Sequence, residues 1–207
     1  MKERPILFSD QMVRAILEGR KTVTRRIAKP VKHPDLGNIY APGALVLEHE
    51  PQHVFDRACP YGQPGDRLWV REAWQGPLIS DEEQAANQSW WKDMTKFQDQ
   101  AHCAYRASGD NNEYVDPDGY FHCKWKPSIH MPRWASRILL EITAVRVERL
   151  HQITIGEICK EGLARSMYEF IPVTTAFDAF AELWNSTGGD WDANPWVWVI
   201  EFRRVTP

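Results

Sequence analysis

Gly19-Arg20-Lys21-Thr22-Val23-Thr24-Arg25-Arg26 is the stretch on which the reading of this chain turns. With Lys29 and Lys32 it places six basic residues, and no acidic one, between Arg20 and Lys32. Just before it runs the pattern of a short amphipathic helix. Ser9 stands at the N-cap position and Asp10 in the first turn. Met12, Val13, Ile16 and Leu17 form the apolar stripe, and Gly19 is placed to end the helix. Two readings of the basic stretch are open. It is a positive patch that meets phosphates, or it is a solvated charged turn. A phosphate-binding P-loop is excluded, because the first Gly of that motif is missing and Arg20 separates Gly19 from Lys21.

Outward from this centre the chain divides into three parts. In residues 1–72, Ile6-Leu7-Phe8 reads as a strand and residues 27–43 as a loop, with Pro30, Pro34, Gly37, Pro42 and Gly43. Ala44 to Leu47 reads as a strand. Pro64-Gly65 fits the centre of a type II turn, with Gly at the positive-φ position. Asp66 to Glu72 alternates, with Leu68 and Val70 on one face. Residues 73–130 are rich in Gln, Asn, Asp and Gly yet carry Trp74, Trp90, Trp91 and Trp125, which suits an insertion that packs on the domain or forms a lid. Residues 131–207 return to regular structure. Arg137 to Val147 has the period of a strand. Thr154-Ile155-Gly156-Glu157 is a capping box opening a helix that Gly162 closes. Thr175 to Asn185 has helical spacing, and Trp196 to Arg203 suits a buried strand. The expected fold is α+β: one domain over 1–207, short helices around a barrel-like sheet, and 73–130 as an insertion.

Composition sets the outer bounds. The chain has 207 residues, 43% hydrophobic and 26% charged, which are ordinary globular values. The 25 Lys and Arg against 28 Asp and Glu leave a net charge of −3. That excludes a generally basic nucleic-acid coat but not a local patch. No apolar run approaches the roughly 18 residues of a membrane span. Four cysteines and no secretory signal suggest a cytoplasmic protein with reduced thiols. The 10 tryptophans fill a core or stack on flat ligands.

The motifs resemble those of the ASCH (activating signal cointegrator homology) domains, members of the PUA-like β-barrel superfamily. Ile16 to Arg25 is similar to the opening motif of that family. Pro64-Gly65-Asp66-Arg67-Leu68-Trp69-Val70 resembles its Gly-Asp turn into a barrel strand. Ile153 to Leu163, with Glu161-Gly162, resembles its later helix, and Trp198 to Phe202 its closing strand. Cys59-Pro60-Tyr61-Gly62 and Pro127 to Trp134 resemble the larger phage- and prophage-encoded members. The resemblance implies nucleoside or nucleic-acid ligands. Small bacterial members include amidohydrolases that remove acetate from N4-acetylcytidine. Their reactive Lys, Thr and Glu match Lys21, Thr24 and Glu161 here.

Those residue types suit amide hydrolysis. A Thr hydroxyl becomes a nucleophile when a neighbouring base takes its proton. Lys21 is that base if burial and the nearby Arg20, Arg25 and Arg26 lower its pKa, whereas a charged Glu161 raises it. Alternatively Lys21 stays cationic and stabilises an oxyanion. Glu161 then shuttles a proton or orients water, or else is an exposed carboxylate at a helix end. Further binding candidates are Arg20, Thr22, Arg25, Arg26, Trp69, Arg71, Glu72, His130, Arg133 and Trp134. At most one of Arg71 and Glu72 points inward, because they are strand neighbours. Trp134 either stacks on a base or plugs the core, and Trp74 and Tyr105 are further stacking candidates. Cys59, His102-Cys103 and His122-Cys123 lack the paired spacing of structural zinc, so neither a metal nor a cofactor is expected.

The leading function is thus a hydrolase of an N4-acylated cytidine-type nucleoside. The runner-up is a non-catalytic RNA- or DNA-binding module using the basic stretch with Arg133 and Trp134. The third is a metal-independent ribonuclease. Partners are expected to be a nucleoside or RNA/DNA, without a membrane; the sequence leaves the oligomeric state open, with a monomer favoured.

Overall fold

The computed structural model describes residues 1–86, 89–116, 118–172 and 174–206. Three of the positions outside it, 87, 88 and 117, fall within 73–130. The chain opens with β1 (Glu3–Leu7), α1 (Asp10–Leu17), β2 (Val23–Ile27), β3 (Val31–Lys32) and β4 (Ile39–Tyr40). It continues through α2 (Ala44–Leu47), α3 (Gln52–Ala58), β5 (Arg67–Arg71), β6 (Trp74–Gln75), α4 (Asp81–Ala86) and β7 (Ala104–Tyr105). It closes with β8 (Tyr114–Val115), β9 (Phe121–His122), β10 (Leu139–Arg149), α5 (Ile155–Lys160), α6 (Thr175–Ser186) and β11 (Trp196–Val205). The mixture of strands and helices is α+β, as the patterning implied.

Two compact units divide the chain. The first comprises Met1–Arg4, Ala15–Leu68 and Leu140–Val205. A five-stranded sheet has the order β1-β5-β10-β11-β2, with β2 as an edge strand. β2 runs antiparallel to β11, with Thr24 opposite Ile200 and Arg25 opposite Val199. Val23, Val197 and Val199 pack with Ile158 of α5 and with Ala176, Phe180 and Trp184 of α6 in one buried cluster. The second unit comprises Pro5–Arg14, Trp69–Leu139 and Thr206–Pro207. It contains the short pairs β6–β7 and β8–β9 and a small core of Trp74, Tyr105, Met131 and Ala135.

Four local expectations need correction. Ala44–Leu47 is helical, not a strand, with Leu47 N and Glu48 N bonded to Gly43 O and Ala44 O. A run of four apolar residues has no period to decide between the two. The first strand is Glu3–Leu7, ending before Phe8. The loop 27–43 holds the β3–β4 hairpin, pairing Val31 with Tyr40 and Lys32 with Ile39. Val23–Ile27 is a strand, which the run of cations disguised.

Turn chemistry behaves as read. Gly65 has φ +87, and Asp66 N donates to Gln63 O at 2.9 Å, closing the Pro64-Gly65 turn. The Asp66 carboxylate then accepts from Lys2 N at 2.7 Å and Arg4 Nη1 at 3.1 Å, tying β1 to this turn. Burial pushes the Asp66 pKa up, but these hydrogen bonds outweigh it and hold the carboxyl below its usual range. The sign is that of a depressed acid. The stabilisation is present above the unfolded value of about 3.9 and is lost as pH falls through the lower folded value. Asp66→Asn is expected to cost about 1–3 kcal/mol in urea unfolding at pH 7. The gap should shrink in acid, and a gap independent of pH would refute the assignment.

Gly162 is the second demanding position. At φ +94 a Cβ would lie 2.6 Å from Ala15 Cβ and 3.0 Å from Lys21 Cβ. Gly162→Ala should cost about 2 kcal/mol or more, from the left-handed backbone and the crowding together. That is a fall in Tm of about 4–8 °C for a chain of this size. An unchanged melting curve would show that α1 and Lys21 give way freely.

Candidate functional site

Helix α5 and strand β2 build the centre of the first unit. Thr154 caps α5 as anticipated: Glu157 N donates to its hydroxyl, and Thr154 N donates to the Glu157 carboxylate. α5 stops at Lys160, and Glu161 occupies its C-cap. Thr22 N donates to Lys160 O at 2.9 Å, which lays the end of α5 beside the start of β2. Lys21, only 2% exposed, and Glu161, 4% exposed, are thereby buried together.

Lys21 Nζ donates to Glu161 Oε2 at 2.5 Å, to Glu161 O at 3.0 Å and to Val23 O at 2.8 Å. Burial lowers the Lys21 pKa below the ordinary lysine value of 10.5. The Glu161 carboxylate works against that shift, while Arg26 and Arg25 add to it. Glu161 Oε1 accepts from Arg25 Nη1 at 3.1 Å. Arg25 also reaches Glu148 Oε1 at 2.8 Å and Glu157 Oε2 at 3.0 Å. Arg146 continues the chain of charges to Glu148 at 3.0 Å, to Glu157 and to Glu201 at 2.6 Å.

The basic stretch therefore does not form a surface patch of six cations. Lys21 and Arg25 point inward and are neutralised by glutamates. Arg20 lies against Glu18 at 2.7 Å and donates to Gly162 O. Thr22, Lys29 and Lys32 are exposed, and Arg26 is half-buried. Burial lowers the Arg26 pKa, opposed by Tyr61 and Glu161. Along β2 the alternation sets Val23 and Arg25 on one face and Thr24 and Arg26 on the other. Thr24 is buried.

Glu148, Glu157, Arg146 and Glu201 are the site residues that sequence reading missed. Glu157 was visible only as a cap. Arg146 and Glu148 share a strand face two residues apart, a pattern that reads as solvated charge until α5 covers it.

The second unit places the other candidates. Glu72 is 1% exposed and takes a two-pronged bond from Arg137, at 3.0 and 2.9 Å. Burial raises its pKa and Arg137 opposes the rise. Arg71 donates to the backbone oxygens of Met131 and Ile129, and its guanidinium lies 5.3 Å from the Trp69 ring centre. Of these two strand neighbours one is an interior ion pair and the other a half-buried clamp. His130 and Arg133 are exposed, each in a short 3₁₀ turn. Trp134 packs edge-on against Trp74 at 5.5 Å, so it is a plug. Trp74 and Tyr105 are buried in the same core and are not stacking surfaces.

Cys59 and Cys103 are both pushed up to about 11 by burial, which disfavours the thiolate. His102 lies 2.8 Å from both Glu83 and Asp99, and His122 lies 2.7 Å from Asp116. Among the described residues no group of three or more His, Cys, Asp or Glu is arranged around a metal position. No described helix is long and apolar enough to cross a membrane.

No protein-family model matches the chain, and no curated protein is similar to it. Among solved structures, an ASCH domain from Lactobacillus crispatus JV V101 overlays on 100% of this chain and 81% of its own. The identity is 14% and the TM-score 0.37. At that overlap the site stands on its own geometry.

Proposed function

We propose that the chain is an ASCH-type domain with a PUA-like barrel and 73–130 inserted in it. We infer that it hydrolyses the acyl-amide bond of an N4-acylated cytidine-type nucleoside. The observation that carries this reading is the buried Lys21–Glu161 pair at the start of the strand that holds Thr24. A Lys, a Thr three residues on and a Glu at a later helix end are the residues the family resemblance implies for that chemistry.

The resting pair is ionic. Three acceptors around Nζ match the three N–H bonds of an ammonium. Burial loosens that proton, and its release leaves the Lys21 amine free to act as a base beside the carboxylate. Arg25 holds the other carboxylate oxygen in place. The Lys21 amine then takes the Thr24 hydroxyl proton as Oγ1 forms a bond to the acyl carbonyl carbon. The renewed ammonium stabilises the oxyanion. As the C–N bond breaks, Lys21 passes its proton to N4 of the leaving cytidine. Water, delivered against the same pair, cleaves the acyl-threonine ester. The sum is amide plus water giving amine plus carboxylic acid.

Chromatography of N4-acetylcytidine incubated with the wild-type protein tests this. Cytidine and acetate should appear at a rate nearly independent of salt. A folded protein without turnover would sink the assignment. RNA or DNA binding that falls steeply with salt would favour the binding module instead, although burial of Lys21 and Arg25 leaves few cations for it. RNA shortened without acetate release would mark a ribonuclease.

A further inference from the structure

A cavity of about 1010 Å³ lies wholly within the second unit. That is the upper end of the roughly 300–1,000 Å³ typical of small-molecule sites. Hydrogen bonds fix its walls. The β6–β7 pairing sets Gln75 opposite Ala104, and Leu78 N donates to His102 O at 2.8 Å. The His102 ring lies 2.8 Å from both Glu83 of α4 and Asp99, which ties α4 to the 99–102 turn. Asp81, the first residue of α4, lines the cavity.

Aromatic rings and carboxylates line it together. Trp90 and Trp91 stand edge to face, 6.1 Å apart at 87°. Tyr114 lines another wall, its ring stacked on His122 at 4.8 Å, and Phe121 is 63% exposed beside it. The electron-rich face of such a ring attracts a cation. The charges add to that attraction. Asp81, Glu113 and Asp116 line the cavity, and among the described residues Lys126 is its one cation. Lys126 is already committed, donating to Gly76 O at 2.6 Å and lying 4.9 Å from the Trp74 ring centre. Asp116 is committed to His122 at 2.7 Å. The carboxylates of Asp81 and Glu113 have no hydrogen-bond or ion-pair partner among the described residues.

Positive charge on an apolar body complements such walls. An anion would face the two unpaired carboxylates. A metal ion needs converging ligands, and among the described residues no three acids, histidines or cysteines are so arranged. A primary ammonium is strongly hydrated and needs an acceptor for each of its three N–H groups. A quaternary ammonium has no N–H to satisfy, and ring faces with negative charge nearby are what it binds.

We propose that this cavity binds a small organic cation bearing a quaternary ammonium, its head group held by the aromatic walls and its charge balanced by Asp81 and Glu113. This goes beyond the hydrolase reading and does not depend on it. Isothermal titration of the full chain with choline tests it, beside 3,3-dimethylbutan-1-ol, in which an uncharged carbon replaces the ammonium nitrogen. Choline should bind saturably, and the alcohol about tenfold more weakly or worse, since only the charge differs. Trp91 is 51% exposed, so Trp91→Leu keeps an apolar side chain without disturbing a core and removes only the ring. It should weaken choline about threefold or more. Glu113 is exposed too, and Glu113→Gln should weaken choline while leaving the alcohol unchanged. Circular dichroism checks that both variants fold. The proposal is overturned by absence of saturable heat with choline, by equal affinity for the alcohol, or by unchanged choline affinity in either folded variant. The readout is binding without turnover, so its failure leaves the Lys21 assignment untouched.

Discussion

Lys21→Ala is expected to lower turnover of N4-acetylcytidine by about 10²–10⁴-fold, the usual worth of a positioned proton-transfer group. The loss should fall on kcat, because Lys21 is buried against Glu161 and acts on the reacting atoms rather than on remote parts of a substrate. Lys21→Arg separates its two roles. A guanidinium keeps the positive charge but does not give up a proton. Retained activity in that variant would eliminate the base role and leave only oxyanion stabilisation. The wild-type rate should rise with pH as the amine form accumulates. The midpoint should lie below the ordinary lysine value of 10.5, since burial lowers the Lys21 pKa. A rate that is flat across that limb would contradict proton transfer through Lys21. Thr24→Ala should be as inactive as Lys21→Ala, because the two act as one unit.

Glu161→Gln should be the most destabilising single change at this site. It removes the carboxylate that Lys21 and Arg25 share, leaving two buried cations facing an amide. Breaking a buried pair by removing one partner costs about 3–5 kcal/mol. For a chain of this length that is a fall in Tm on the order of 6–20 °C. Lys21→Met should cost less, since Glu161 keeps Arg25, and Arg25 keeps Glu148 and Glu157. The double variant should be more stable than the sum of the two losses predicts, by about 0.5–3 kcal/mol. Strict additivity would mean that the 2.5 Å contact contributes no net coupling.

Much of the framework was legible in residue order alone, and always for a local reason. Asp10 to Leu17 announced a helix by its apolar stripe, and Thr154 with Glu157 announced the cap of α5. Pro64-Gly65 specified a turn because only Gly takes φ +87 without strain. Asp66 to Glu72 and Arg137 to Val147 showed the two-residue period of strands, and the strands run over Arg67–Arg71 and Leu139–Arg149. Lys21 and Glu161 stood out by residue type within the family resemblance. What order could not say is which cations face inward. Arg25 reads as one more surface charge until Glu148, Glu157 and Glu161 arrive from more than 120 positions away.

Local order thus settled where this chain bends, caps and pairs, because propensity and turn chemistry act over a few residues. Tertiary structure alone decided that a run of cations becomes a buried ionic centre rather than a patch. The solvation of a charge depends on what packs against it, and those partners lie on β10 and at α5.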